Sequence, residues 1–198
     1  MNVIAPPVVS AESIFRDAHT AYRFTPEAVT DEQLAAIYDL ARFTPTALNS
    51  QPLRVTFVRT PAAKSRLLPL LSATNRDKSA SAPVVAILAA DTDFHENLPR
   101  VAPQTQGAKE RFAANQAGRT VMAVNNAWLQ AGGFILAVRA IGLDAGPMGG
   151  IDAAAIDAEF FPNSSLRTFL VVNIGRAADD GQFPRNPRLG FDEAITLV

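Results

Sequence analysis

The sequence contains no cysteine, two histidines, one tryptophan and two tyrosines. Without cysteine there are no disulfides, thiolate metal sites or thiol nucleophiles. The histidines, His19 and His95, lie far apart along the chain, so a zinc or non-haem iron centre built on histidine is not expected. Neither sign of charge dominates: 18 Lys and Arg face 19 Asp and Glu, for a net charge of −1. That balance gives no electrostatic footing for nucleic acid or an anionic membrane surface. The apolar run around Gly132–Ala137 is far too short to span a bilayer. The N-terminal MNVIAPPVVS has no basic side chain and no long apolar core. No secretory leader is expected there, and a cytoplasmic location is the default. GxGxxG and GxxxxGK[ST] loops are both missing, so neither a Rossmann dinucleotide site nor a phosphate loop is supported.

What is present suits one globular domain over residues 1–198. The apolar fraction is 48% and the charged fraction 19%, enough for a sizeable core. Ser10 can cap a first helix running to about His19. Thr30-Asp31-Glu32-Gln33 reads as a capping box. Behind it Leu34, Ile37, Leu40 and Ala41 recur at helical spacing up to Phe43. Arg54–Arg59 alternates like a strand. Pro61–Leu71 reads as a helix with proline in its first turn. Pro83–Ala90 is a continuous apolar run that suits a strand buried on both faces. His95–Ala114 is irregular, and so long a loop in a compact domain is usually functional or mobile. Asn115–Ile141 is the longest periodic segment and reads as a central helix closed by Gly142. A helix over Asp152–Phe160, a strand over Arg167–Ile174, a proline-rich tail and a short helix near Asp192–Leu197 complete the chain. The pattern predicts a three-layer α+β domain, a mixed sheet between helices.

Polar chemistry gathers in a few segments. Thr44–Pro52 (TPTALNSQP) joins helix to strand, and its two prolines restrict the backbone around Thr46, Ala47, Asn49, Ser50 and Gln51. Such a loop is either a plain connection or a stiff polar frame for a ligand. Ala18–Arg23 (AHTAYR) and Asn75–Lys78 (NRDK) are two more. Gly142–Gly150 (GLDAGPMGG) offers bare N–H donors where backbone can approach a flat ligand, or is simply a helix cap and turn. Arg185 and Arg188 match phosphate oxygens in geometry, or belong to a solvated tail.

In this order the segments resemble the FMN-dependent nitroreductase family over nearly the whole chain. PTALNSQP is similar to the family's P-S-x-x-N-x-Q-P loop, GLDAGPMGGID to its glycine-proline segment, and NRDK to the asparagine and lysine at the flavin's pyrimidine edge. APVVAILAADTDFHENLP, GLDAGPMGGID and RLGFDEA more narrowly resemble the branch that contains malonic semialdehyde reductase, which forms 3-hydroxypropionate. The resemblance implies a three-layer fold with a mainly antiparallel sheet and a long central helix. It also implies a homodimer with FMN at the subunit interface and a C-terminal tail wrapping the partner. Thr46, Ala47 and Asn49 of one subunit would meet a flavin held mainly by the other. Asn75 would bond the pyrimidine edge. Lys78 would face the negative charge that builds on reduction. Pro147, Met148, Gly149 and Gly150 would line the flavin near N5 and O4. His19 and Thr20 would contact phosphate and ribityl, and Arg185 and Arg188 the phosphate. NAD(P)H would reduce the flavin, and a small-molecule electron acceptor would then take the same place. The implied acceptor is malonic semialdehyde, with nitroaromatics and quinones as alternatives. No protein general acid is implied. The chain departs from R-x-S-x-[RK] at Ala18 and Tyr22, where the pattern has cations. These departures bear on FMN affinity, and they leave open a relative with weak FMN binding and no efficient turnover.

Overall fold

The computed structural model describes residues 9–198. Most of the N-terminal segment read above for a leader, residues 1–8, lies outside the described residues. In chain order the elements are α1 (Asp31–Ala41), β1 (Leu53–Val58), α2 (Pro61–Leu67), α3 (Ala73–Ser81), β2 (Val84–Asp91), α4 (Leu98–Val101), α5 (Ala108–Ala113), α6 (Gln116–Ala140), β3 (Asp144–Met148), α7 (Ala153–Phe160), β4 (Leu166–Gly175) and α8 (Phe191–Ala194).

The apolar run at β2 does what continuous hydrophobicity predicts: every residue from Val84 to Asp91 is buried. Successive side chains alternate between faces. Val84, Ala86 and Leu88 pack with Leu34 and Ile37 of α1 and with Phe134 and Val138 of α6. Val85 and Ile87 pack on the other side with Leu67 of α2, Ile156 of α7 and Val171 of β4. The result is three layers, helices on both faces of one sheet. Strand order is β1-β2-β4-β3, and all three pairings are antiparallel. The parallel component is one bridge, Thr20 to Ala145 beside β3. β1 is an edge strand with no further strand beside it among the described residues.

Local chemistry sets the helix ends. At α1 the Gln33 N–H donates to Thr30 Oγ1 (3.2 Å) and the Thr30 N–H donates to Gln33 Oε1 (2.9 Å). The central helix α6 starts from Asn115, whose Oδ1 accepts from the Gly118 N–H, and Gly142 follows its end at φ 80°. By length and apolarity α6 could cross a membrane, but here it packs against α1 and the sheet.

Several elements differ from the sequence reading. The first helix does not reach His19. A single π-type turn, Glu12–Arg16, is all that forms, because the chain then turns to run beside Ala145. Pro61–Leu71 breaks into α2 and a 3₁₀ turn, Leu68–Leu70, since Pro69 cannot donate in a continuing helix. Asn75–Lys78 lies within α3. The segment read as irregular from His95 to Ala114 contains α4 and α5, with Leu98, Ala102 and Ala108 packed around Phe94. Most consequential is β3, which the sequence reading leaves as a turn. Glycine and proline argue against a strand interior, but at a sheet edge Pro147 has no ladder bond to lose.

Gly146 holds the segment from Ala18 onward against β3. A Cβ there would lie 2.6 Å from the Ala21 carbonyl oxygen, and this oxygen belongs to backbone that cannot step aside cheaply. Gly146→Ala is expected to lower unfolding free energy by ~1–3 kcal/mol, the usual cost of overpacking. Urea denaturation checks it, and an unchanged midpoint would refute the close-approach argument.

Candidate active site

Three groups of residues carry the polar chemistry. The first surrounds a pocket of about 270 Å³ between the Ala18–Tyr22 segment and the tail, and Arg139 also lines it. The segment is fixed to β3 through the Thr20–Ala145 bridge. Its Tyr22 N–H donates to Gly181 O (2.7 Å). Arg185 donates to Ala18 O (2.8 Å) and to Arg16 O. His19 Nδ1 lies 3.0 Å from Phe183 O, so the ring donates from Nδ1. The Tyr22 ring meets Phe183 edge-on at 4.6 Å, and Lys78 Nζ sits 4.6 Å from the Tyr22 ring centroid. Thus the two departures from the family pattern have structural work: Ala18 supplies a carbonyl to Arg185, and Tyr22 is a platform for Lys78 and Phe183.

Charge in this pocket has one sign. Arg139, Arg185 and Arg188 line it and no carboxylate does. None of the three forms a salt bridge among the described residues. Burial lowers the Arg139 guanidinium from its ordinary value, and the nearby Arg185 adds to that, against the opposing pull of Asp144. Partly buried cations without a paired carboxylate are costly unless an anion joins them. The sequence reading missed Arg139, because a basic residue in a last helical turn ordinarily just offsets the helix dipole.

The second group joins α3 to the strand end. Asn75 is buried, and its Nδ2 donates to Gly150 O (3.1 Å). A Cβ at Gly150 would lie 2.8 Å from both Asn75 Nδ2 and Ser72 Oγ, so a side chain there would push the Asn75 amide or the Ser72 hydroxyl aside. Gly149 is exposed with open space beside it. Pro147 sits within β3. The Met148 side chain packs into the core below the sheet, so toward a ligand it offers only main-chain atoms. Lys78, on the same helix as Asn75, links this group to the first through Tyr22.

The third group is the loop from Thr46 to Gln51. Leu48, Asn49 and Gln51 all have positive φ (55°, 50° and 44°), a region that costs non-glycine residues energy and is found at functional sites. Two buried amides one turn apart on α6 hold this conformation. Asn126 Oδ1 accepts from Ala47 N–H (2.7 Å), and Gln130 Oε1 accepts from Leu53 N–H (2.9 Å). Within the loop, Gln51 N–H donates to Thr46 Oγ1 (3.2 Å), and Asn49 Nδ2 reaches Val101 O (2.7 Å). No hydrogen bond joins Thr46, Ala47 or Asn49 to the other two groups among the described residues. The structure thus brings His19, Thr20, Lys78, Arg185 and Arg188 together, and pairs Asn75 with Gly150. It leaves the loop apart. Asn126 and Gln130 also escaped the sequence reading, because polar residues in a long helix carry no sign of facing inward.

Known proteins match this chain throughout. The family model described as the nitroreductase family matches residues 16–176. A Streptomyces griseus protein provisionally named NADH dehydrogenase/NAD(P)H nitroreductase is 50% identical over 198 residues, covering 100% of both chains. A Streptomyces coelicolor protein of the same provisional name is 52% identical, covering 98% of each. Among solved structures, a provisionally named nitroreductase from Exiguobacterium sibiricum in complex with FMN superposes with a TM-score of 0.84, covering 98% of this chain and 100% of that one at 17% identity. These likenesses identify the fold seen here as nitroreductase-like.

The amide clamp is open to test. Asn126→Ala removes the acceptor for the Ala47 N–H and is expected to cost ~1–3 kcal/mol of stability. Hydrogen exchange at the Ala47 amide, in the loop, should accelerate more than at the amides of α6. Equal acceleration throughout would mean that Asn126 supports the helix alone.

Proposed function

The chain belongs to the nitroreductase family, and on that premise we propose that it is an FMN-dependent NAD(P)H oxidoreductase formed from a single domain over residues 1–198. The observation that carries this reading is the acid-free pocket of Arg139, Arg185 and Arg188 beside His19 and Thr20, connected through Tyr22 and Lys78 to Asn75 and Gly150. A cationic recess at one end and an amide beside a side-chain-free backbone at the other suit a phosphorylated flat ligand. Supporting it are the provisional names of the relatives and the FMN complex of the Exiguobacterium protein.

In this reading each residue has a physical task. Arg185 and Arg188 hold the phosphate, and His19 and Thr20 bond the phosphate or ribityl chain. Asn75 bonds the pyrimidine edge. Lys78 supplies positive charge where reduction builds negative charge. The backbone at Pro147–Gly150 offers main-chain donors beside the ring. FMN, when bound, supplies the hydride chemistry, and no protein nucleophile is required.

The reading includes a cytoplasmic homodimer. Thr46, Ala47 and Asn49 stand apart from the other groups within one chain, as expected if they complete the partner's site. Val121, Trp128 and Leu129 of α6 are exposed, as are Phe183, Leu189, Phe191, Ile195 and Leu197 of the tail. Exposed apolar surface of this extent marks an interface, and a tail laid across a partner would cover it. The electron acceptor is a small molecule. The branch motifs favour malonic semialdehyde, while the relatives' names favour a nitroaromatic compound.

Anaerobic addition of NADH or NADPH to protein loaded with FMN should bleach the flavin's visible band. A bound flavin that neither nucleotide bleaches would overturn the oxidoreductase reading. Lys78→Ala should slow reduction about tenfold, or ~1.4 kcal/mol of barrier, with a smaller effect on FMN affinity. Stopped-flow absorbance reports the rate, and equal rates in variant and parent would remove that role from Lys78.

A further inference from the structure

Arg139 adds charge to the pocket but has been given no ligand contact of its own, although it lines the same recess as Arg185 and Arg188. It projects from the last turn of α6, a helix of 25 residues. Its Nη1 donates to Ile14 O (3.1 Å), and its Nε is buried without a partner. The other two arginines are more committed or less fixed. Arg185 spends Nη2 on the carbonyls of Arg16 and Ala18. Arg188 is exposed and turns its Nη1 back on Asn186 O (2.8 Å) and Pro187 O (3.2 Å). Both belong to an irregular tail, whereas Arg139 stands on a packed helix.

Electrostatics also favours an anion at Arg139. A helix C-terminus carries partial negative charge and repels anions, so an anion near this end of α6 needs a cation from the last turn. The Ala18–Tyr22 segment has no arginine or lysine facing the pocket. Asp144 is near enough to attract Arg139, but its oxygens already accept from Ala177 N–H (2.8 Å) and Gln182 Nε2 (3.3 Å).

We propose that Arg139 is a phosphate-binding residue, the helix-borne cation that makes this pocket prefer FMN to riboflavin in the absence of a cation at Ala18 or Tyr22. This rests on the FMN reading above. Arg139 draws no energy from the isoalloxazine ring. Its contribution is confined to the phosphate, which is the only difference between FMN and riboflavin. An arginine fork also makes two parallel bonds to phosphate oxygens, which a lysine cannot reproduce.

The test compares FMN and riboflavin dissociation constants, by flavin fluorescence quenching, for the parent protein, Arg139→Gln and Arg139→Lys. In Arg139→Gln, FMN affinity should fall ~10–100-fold, the range for a charge-assisted hydrogen bond. Riboflavin affinity should stay the same, so that the preference collapses. Arg139→Lys should restore part of it. Unchanged riboflavin binding also certifies that the variant is folded. If FMN and riboflavin weaken together in Arg139→Gln and Arg139→Lys alike, Arg139 is a structural prop and the proposal fails. It fails equally if the preference persists in Arg139→Gln. If the parent binds neither flavin, the oxidoreductase reading falls and takes the phosphate role with it.

Discussion

Burial of α6 against α1 and the sheet is the constraint on which the other features depend. The helix puts Phe134 and Val138 into the core, and that packing turns Asn126 and Gln130 inward too. A buried amide must find partners or pay a desolvation penalty. Those partners are the main-chain N–H groups of Ala47 and Leu53. The loop between them is therefore drawn tight, and three non-glycine residues accept positive φ within it. One helix thus sets the shape of a loop at its middle and presents an arginine at its end.

The second theme is how the sheet edge organises charge. β3 pairs with β4 and bridges to Thr20. That bridge carries Ala18 and His19 toward the tail, where Phe183 and Arg185 bond back to them. Three cations converge without a carboxylate among the lining residues. On the far side of Tyr22, Lys78 rests on an aromatic face rather than on an acid. A cation held by a ring retains more of its field than one neutralised by a carboxylate.

What could be read from the sequence was what leaves a periodic or capping trace. β2 was legible because burial on both faces demands an unbroken apolar run. α1 was legible from the Thr30–Gln33 box, and α6 from its repeat and Gly142. β3 was not legible: Gly146 and Pro147 signal a turn unless the strand's position at the edge is known. The pocket's members were legible as separate polar segments, and the family resemblance put His19, Thr20, Arg185 and Arg188 in one place. Arg139, Asn126 and Gln130 left no trace, because their roles depend on the rotational setting of α6. The backbone conformation of Leu48, Asn49 and Gln51 was hidden for a related reason. Its flanks, Ala47 and Leu53, are pinned by partners 75 or more positions along the chain, and Asn49 reaches Val101, so local residue preference alone does not reveal it.

The edge position of β1 has a consequence for the newly made chain. Beyond Leu53, whose N–H is taken by Gln130, the N–H and C=O groups that point away from β2 present a β-favouring edge, RVTFV, that can recruit an extended chain. Arg54 and Arg59 bracket its apolar stretch as charged gatekeepers, and Arg54 is tied to Asp91 at 2.7 Å. A newly made chain is aggregation-prone in proportion to the time this edge stays open before β1 and its neighbours are fully folded. Rapid accumulation of partly folded chains would therefore be a solubility problem even where the folded domain is stable.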